Sequence, residues 1–321
     1  MLLGIDLGGT KVAYTLAGED GEILAREREP APDTGQAESD LARIVQSARA
    51  LCEGQGGGVP RLTGVCAPGP LDLPSGRVLH PPNLRGWGEV SLRERLETEL
   101  GCPVEMENDA NAGALAEWHF GAGRGARTLV YLTMSTGVGG GLILDGRLYR
   151  GPRGTAGEVG HVAVESAGAL CACGLKGCLE AYVGGRAWSA RLRSETPEAS
   201  RVRAHAGQRD RISPEHVLAA AREGDAWAHA EMKRFNHYLA RGLSQLVFLL
   251  APERIVLGTI VAAAGEALCL VPLREELAGL VWPHQAPGLE IRAAELGADL
   301  PHRSAIAVAL EGLRRDASAR G

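Results

Sequence analysis

Twice in this chain a strand-like run breaks at clustered glycines and resumes at once as a second strand. The first case is LLGIDLGGTKVAYTLAG, broken at Gly8 and Gly9; the second is TLVYLTMSTGVGGGLILDG, broken at Gly137 and Gly139. Glycine lets the backbone turn sharply and present bare N–H groups, which suits either a tight hairpin or the grip on an oxyanion. Neither turn is a Walker loop, since no Gly-Lys-Ser/Thr stands at the required spacing. Neither is a dinucleotide fingerprint, which needs a helix and not a strand after the glycines. Either turn alone is equally well a plain Gly-Gly hairpin; the two together are what a phosphate chain gripped from two domains needs. Asp6, Gly8, Gly9, Thr10 and Lys11 form the first candidate segment, with Asp6 placed to hold Mg²⁺, directly or through water. Thr136, Gly137 and Gly139 form the second.

The flanking pattern repeats in outline. Residues 1–110 read βββαβαβ, with an amphipathic helix over 36–54 carried by Leu41, Ile44, Val45, Ala48 and Leu51. After residue 128 comes strand, glycine turn, strand, turn, strand again. Residues 179–250 are mostly helical, with 192–212 read as a surface loop or irregular helical insertion. RIVLGTI and LEIRAAELG are late strands, and SAIAVALEGLRRDA is a closing helix. This predicts an α/β protein of two related halves with its ligand in the cleft between them. The expected division is 1–112 plus 301–321 for the smaller domain and 113–300 for the larger. A length of 321 residues suits two domains of ordinary size.

Several function classes are excluded by composition. The net charge of −5 offers no footprint for a nucleic-acid polyanion. No apolar run reaches the roughly 18 residues of a membrane span, and MLLGIDLGGTK lacks the basic and apolar regions of a secretory signal. A cytoplasmic protein is expected. Four of the seven cysteines (Cys52, Cys66, Cys102, Cys269) are scattered and read as small hydrophobes. The other three cluster in GHVAVESAGALCACGLKGCLEAY, where a reducing compartment favours a metal over disulfides. His161, Cys171, Cys173 and Cys178 make a Cys₃His set suited to tetrahedral Zn²⁺. Four protein ligands leave no place for an activated water, so the zinc would be structural.

ENDANAGALAEW closes a strand and opens a helix. Spacing alone favours Asp109 as the helix N-cap. The competing reading is a general base that takes a proton from a substrate hydroxyl during phosphoryl transfer. Asn108 beside it could bond a second hydroxyl. Asn83, in PPNLRGW, is a ligand loop or a simple turn, and Gly258, in IVLGTI, is a candidate for adenosine contact.

In order, DLGGTK, APGP, PNLRGW, ENDANAGALAE, STGVGGG, GEVGH and CACGLKGCLE run along the chain. With these, the sequence resembles the ROK family of bacterial glucokinases and hexokinases, N-acetylhexosamine kinases, fructokinases and sugar-responsive repressors. The resemblance covers essentially the whole chain. It implies an actin-like fold of the sugar kinase/Hsp70 type, with ATP and a hexose in the interdomain cleft. It makes Asp109 the base that activates the sugar 6-hydroxyl. Gly69, Asn83, Asn108, Glu158, His161 and Glu180 match sugar-holding positions, and a homodimer or homotetramer is expected. The zinc knot would then act as a brace, fixing one imidazole nitrogen of His161 and leaving the other for a sugar hydroxyl.

The implied activity is ATP-dependent phosphorylation of glucose, with mannose as a further acceptor. The alternatives are an N-acetylmannosamine or N-acetylglucosamine kinase, a non-catalytic sugar-sensing regulator, and a silent zinc-stabilised sugar binder. A regulator of this family carries a helix-turn-helix ahead of the phosphate motif, for which six residues before the first turn leave no room. Two departures from the family pattern stand out. Ser135 replaces a frequent glycine, and Thr259 replaces the second glycine of the adenosine segment, where a β-branched residue disfavours positive φ.

Overall fold

The computed structural model describes residues 1–319 and divides the chain into two compact units. The first holds Met1–Gly121, Arg150–Ala156 and the chain from Leu296 onward; the second holds Ala122–Tyr149 and Gly157–Glu295.

In the first unit the N-terminal strands are β1 (Leu2–Leu7), β2 (Lys11–Ala17) and β3 (Ile23–Pro30). Helix α1 (Ala37–Gly54) then leads to β4 (Leu62–Ala67). Three short strands follow, β5 (Leu71–Asp72), β6 (Arg77–Leu79) and β7 (Glu89–Val90). They form a small separate sheet that sequence periodicity does not reveal, because two- and three-residue strands carry no alternation to read. Helix α2 (Leu92–Leu100) stops at Gly101, whose φ of 69° supplies the left-handed cap. Strand β8 (Val104–Asn108) runs straight into α3 (Asp109–Phe120).

The main sheet has the order β3-β2-β1-β4-β8, antiparallel across the first three strands and parallel from β1 onward. Parallel strands covered on both faces read as nearly unbroken apolar runs, and β4 is buried at every position.

The second unit repeats this order. Its strands are β9 (Leu129–Met134), β10 (Val138–Leu144) and β11 (Arg147–Leu148). A helical stretch follows: α4 (Glu180–Val183), α5 (Gly185–Glu195), α6 (Arg201–Ala206), α7 (Pro214–Arg222) and α8 (Ala226–Leu250). Then come β12 (Arg254–Thr259), α9 (Ile260–Gly265), α10 (Val271–Ala278) and β13 (Glu290–Ala293). The sheet order is β11-β10-β9-β12-β13, again antiparallel and then parallel. Within 192–212 the chain forms the end of α5, then α6, then a 3₁₀ turn, so the irregular helical reading fits better than a loop.

The closing helix α11 (Leu300–Ala319) packs against α3, β1 and β4 in the first unit. Because α3 and α11 pack along their lengths, the first unit extends to Gly121, whereas the sequence placed the boundary at 112. Among the described residues no helix is long and apolar enough to cross a membrane.

Candidate active site

In the first unit the chemistry-bearing residues gather at the C-terminal ends of β1, β4 and β8. The register sets Asp6 beside Cys66 and Cys66 beside Glu107, with Asn108 opposite Ala67. Asp6 is half-buried and its thiol neighbour Cys66 donates to it. Loss of water raises the Asp6 pKa to about 7, and the nearby charge of Asp109 adds to the rise. The β1–β2 turn closes with the Gly8 N–H donating to the Lys11 carbonyl at 3.0 Å. A Cβ on Gly9 would lie 2.7 Å from Asn83 Cβ, so only glycine lets the Asn83 loop sit against this turn. Thr10, Lys11 and Asn83 are exposed. Gly69 lies two residues beyond β4.

The cap of α3 differs from the sequence expectation. Asn108 is the N-cap: its Oδ1 accepts the Asn111 N–H at 2.8 Å, at φ −74° and ψ 160°. Asp109 is the first helical residue, and its carboxylate takes only local backbone N–H groups, that of Ala110 reaching Oδ1 at 2.8 Å. The correction has a simple cause. Either neighbour could cap, and the strand ending at Asn108 gives that residue the extended conformation a cap needs. Asp109 is thereby released from structural duty. Its carboxylate is reachable by solvent yet has protein on most sides, and the lost hydration raises its pKa.

Three side chains behind this junction were not singled out in the sequence. Glu107 has 0% exposure; it accepts from the Asn108 N–H at 3.1 Å, Asn111 Nδ2 at 2.9 Å and Arg150 Nε at 2.6 Å. Strand β8 reads VEMEN, so alternation groups Glu107 with Glu105 on the polar face and gave no signal of its burial.

In the second unit the β9–β10 turn is held from behind. The Ser135 carbonyl accepts the Gly185 N–H at 2.8 Å, and the Thr136 carbonyl accepts that of Arg186 at 2.9 Å. The Glu180 carboxylate accepts the Val138 N–H at 2.8 Å. A Cβ on Gly137 would lie 2.3 Å from Glu180 Oε2, so any side chain there would push that carboxylate off the Val138 N–H. Gly139 follows on β10, paired with Thr133. Glu158 is exposed and precedes a 3₁₀ turn, Val159–His161, that leads into the cysteine cluster.

The ligand atoms of His161, Cys171, Cys173 and Cys178 all lie within 4.8 Å of one another. His161 Nδ1 is 3.8 Å from Cys171 Sγ, and Cys173 Sγ is 3.7 Å from Cys178 Sγ. Tetrahedral zinc with bonds of roughly 2.0–2.3 Å sets its ligand atoms roughly 3.5–3.8 Å apart, so the four residues fit that ion. With Nδ1 on the cluster, Nε2 of His161 is the nitrogen left for another partner. The Cys171 thiol also faces Glu180 Oε1 at 3.7 Å, so Glu180 touches both the knot and the glycine turn.

A cavity of about 540 Å³ opens beside this turn, lined by Ser135, Thr136, Arg186, Ser189 and Thr259 among others. Gly258 pairs with Thr133 in the sheet and does not line it; its neighbour Thr259 does. Thr259 holds φ 46° and ψ −106°, a conformation β-branched residues avoid, and its hydroxyl donates to the Met134 carbonyl. Arg186 also lines an adjoining cavity of about 400 Å³ with Thr136, Gly137, Cys171 and Glu180. Arg186 carried no signal in the sequence, since a lone arginine on a helix is ordinarily a solvated side chain.

Comparison with known proteins places these features in context. The model of the ROK family matches residues 2–311. A glucokinase of Thermotoga maritima is 36% identical over 301 residues, covering 93% of each chain. Among solved structures, a ROK hexokinase from Thermus thermophilus superposes with TM-score 0.82 at 33% identity, covering 97% of each chain. A ROK family glucokinase from Streptomyces griseus, in complex with glucose and AMPPNP, gives TM-score 0.76 at 34% identity, covering 96% of this chain and 97% of the other.

Proposed function

The chain belongs to the ROK family, and on that premise we propose that it transfers the γ-phosphoryl group of ATP to the 6-hydroxyl of glucose, with Asp109 as general base. It is a sugar kinase, a phosphotransferase with an alcohol acceptor, and its fold is the actin-like one of the ROK sugar kinases. The observation that carries the base assignment is the division of labour at the head of α3. Asn108 performs the cap, and the Asp109 carboxylate, exposed at its side, holds no other side chain among the hydrogen bonds of this turn.

Asp109 would accept the hydroxyl proton as the new P–O bond forms. Its pKa, raised by burial, brings the base nearer to the alcohol it serves than an ordinary aspartate. Asn108 retains its side-chain NH₂ as a donor to an adjoining hydroxyl. Gly69 and Asn83 would add contacts from the first unit, and Glu158, His161 Nε2 and the remaining lone pairs of Glu180 would do so from the second. Asp6 would hold Mg²⁺, which balances phosphate charge when bound with the nucleotide. The N–H groups and side chains of Gly8 to Lys11, and of Thr136, Gly137 and Gly139, would line the phosphates. The cavity beside Thr259 and Gly258 would take the adenosine.

Zn²⁺ bound to His161, Cys171, Cys173 and Cys178 would be structural. The homodimer or homotetramer expected from the family is open to light scattering. ADP release measured with glucose, mannose, fructose, N-acetylglucosamine and N-acetylmannosamine tests the activity. Glucose should show the highest kcat/KM. An N-acetylhexosamine outperforming it would replace the glucose assignment.

A further inference from the structure

Glu107 is a carboxylate with no exposure at all, one residue from the cap and two from the proposed base. A buried charge of this kind is retained only if it is paired and fully hydrogen-bonded. Its partner, Arg150, comes from far along the chain. Arg150 opens the short segment Arg150–Ala156 that belongs to the first unit, although the residues on either side of it belong to the second. Its Nε donates to Glu107 Oε2 at 2.6 Å, and its own side chain is only 19% exposed. The segment is closed on itself, with the Ala156 N–H donating to the Arg150 carbonyl at 3.0 Å.

The other Glu107 oxygen bonds on both sides of Asp109. It takes the backbone N–H of Asn108 before it and the side-chain amide of Asn111 after it. Asn111 in turn gives its backbone N–H to Asn108 Oδ1. A rigid carboxylate therefore fixes the first turn of α3 at two points that flank Asp109. Rotation of that turn would move the Asp109 carboxylate away from any acceptor hydroxyl.

We propose that Glu107 and Arg150 are a positioning pair for the phosphoryl-transfer step: Arg150 neutralises and orients Glu107, and Glu107 sets the direction of the Asn108–Asp109 junction. Neither residue touches substrate in this role. The inference rests on the sugar-kinase reading with Asp109 as base. A misplacement of about 1 Å at a reacting group costs on the order of 100-fold in rate, so the effect belongs in kcat and not in ground-state binding.

The test is steady-state kinetics of folded, zinc-replete R150M, R150K, E107Q and the double variant E107Q/R150M, with glucose and ATP varied in turn. R150M and E107Q should each lower kcat by about 10- to 100-fold while both KM values stay within about threefold of wild type. R150K keeps a cation on Glu107 and should recover to within about threefold of wild-type kcat. The double variant should be no worse than the poorer single one, because the two residues act as a unit. If R150M does not fold, the isosteric E107Q carries the same comparison. Wild-type kcat in E107Q or R150M, losses confined to KM, or multiplicative losses in the double variant would each overturn the pairing. Wild-type protein inactive with every sugar would instead sink the kinase reading itself.

Discussion

The carboxylate of Glu180 accepts the Val138 N–H at 2.8 Å and faces the thiol of Cys171 at 3.7 Å, tying the second glycine turn to the cysteine knot. The glutamate proposed to hold the sugar thus has a second employment within its own unit. Glu180→Ala should raise the KM for ATP as well as for glucose, by roughly 10-fold each, because a freed Val138 N–H loosens the phosphate turn. Glu180→Gln, which keeps an acceptor oxygen, should spare the ATP KM more than the glucose KM. A rise confined to glucose in Glu180→Ala would show that the turn does not depend on this contact.

Removing the proposed base should separate binding from chemistry. Asp109→Ala should lower kcat by about 100-fold or more while glucose binding, followed by calorimetry, changes little. Near-wild-type kcat would overturn the assignment. Because Asn108 holds the cap, the helix should lose little stability, so thermal unfolding should move by only about 2 °C or less.

The metal prediction starts from exposure. Cys173 is the exposed member of the set, while Cys171 and Cys178 are buried. Cys173→Ser, or prolonged chelation, should release one zinc per chain by atomic absorption and weaken glucose binding by about 10- to 100-fold. Full zinc content in the variant would remove Cys173 from the ligand set.

Asp6 and Asp109 give a pH dependence of defined sign. Asp6 rises from 3.8 to about 7, with burial as the main cause and Asp109's charge as the second. A carboxyl with a higher pKa folded than unfolded binds its proton more tightly in the native state. Its effect on stability is therefore neutral below pH 3.8, and stability falls as pH rises from there to about 7. Without nucleotide or Mg²⁺, Asp6→Asn should be more stable than wild type at pH 8, by roughly 2 °C or more, with the gap closing towards pH 4. Parallel melting curves across that range would contradict the raised value. In the kinetic profile, the acid limb of kcat/KM should sit above the ordinary aspartate range because Asp109 is raised as well.

Thr259 occupies a backbone region that suits glycine, held there by its hydroxyl on the Met134 carbonyl and 3.3 Å from Thr133 Oγ1. Thr259→Val keeps the branched Cβ and loses the hydroxyl, so it should cost about 1–2 kcal/mol in urea unfolding. Thr259→Gly removes strain and hydrogen bond together and should be nearly neutral. Equal losses in both variants would mean that the positive φ of Thr259 carries no strain.

The sequence by itself determined the repeated strand–glycine–strand order, the family and the Cys₃His cluster. These are local: periodicity, turn chemistry and short spacings are written in contiguous residues, and the C-x-C-x₄-C run needs only a fold-back to close. Tertiary structure decided the rest, because it depended on residues distant in the chain meeting. Whether Asn108 or Asp109 caps α3 turned on the backbone conformation at the end of β8, not on side-chain type. Glu107 became a fixed point only when Arg150, 43 residues away, returned to the first unit. Glu180, opening α4, acquired its hold on Val138 at the start of β10, and Thr259, ending β12, its bond to Met134 at the end of β9, from elements distant in the chain. A charge or a hydroxyl in a sequence has no partner until the fold supplies one, and the partner decides whether it performs chemistry or supports the residue that does.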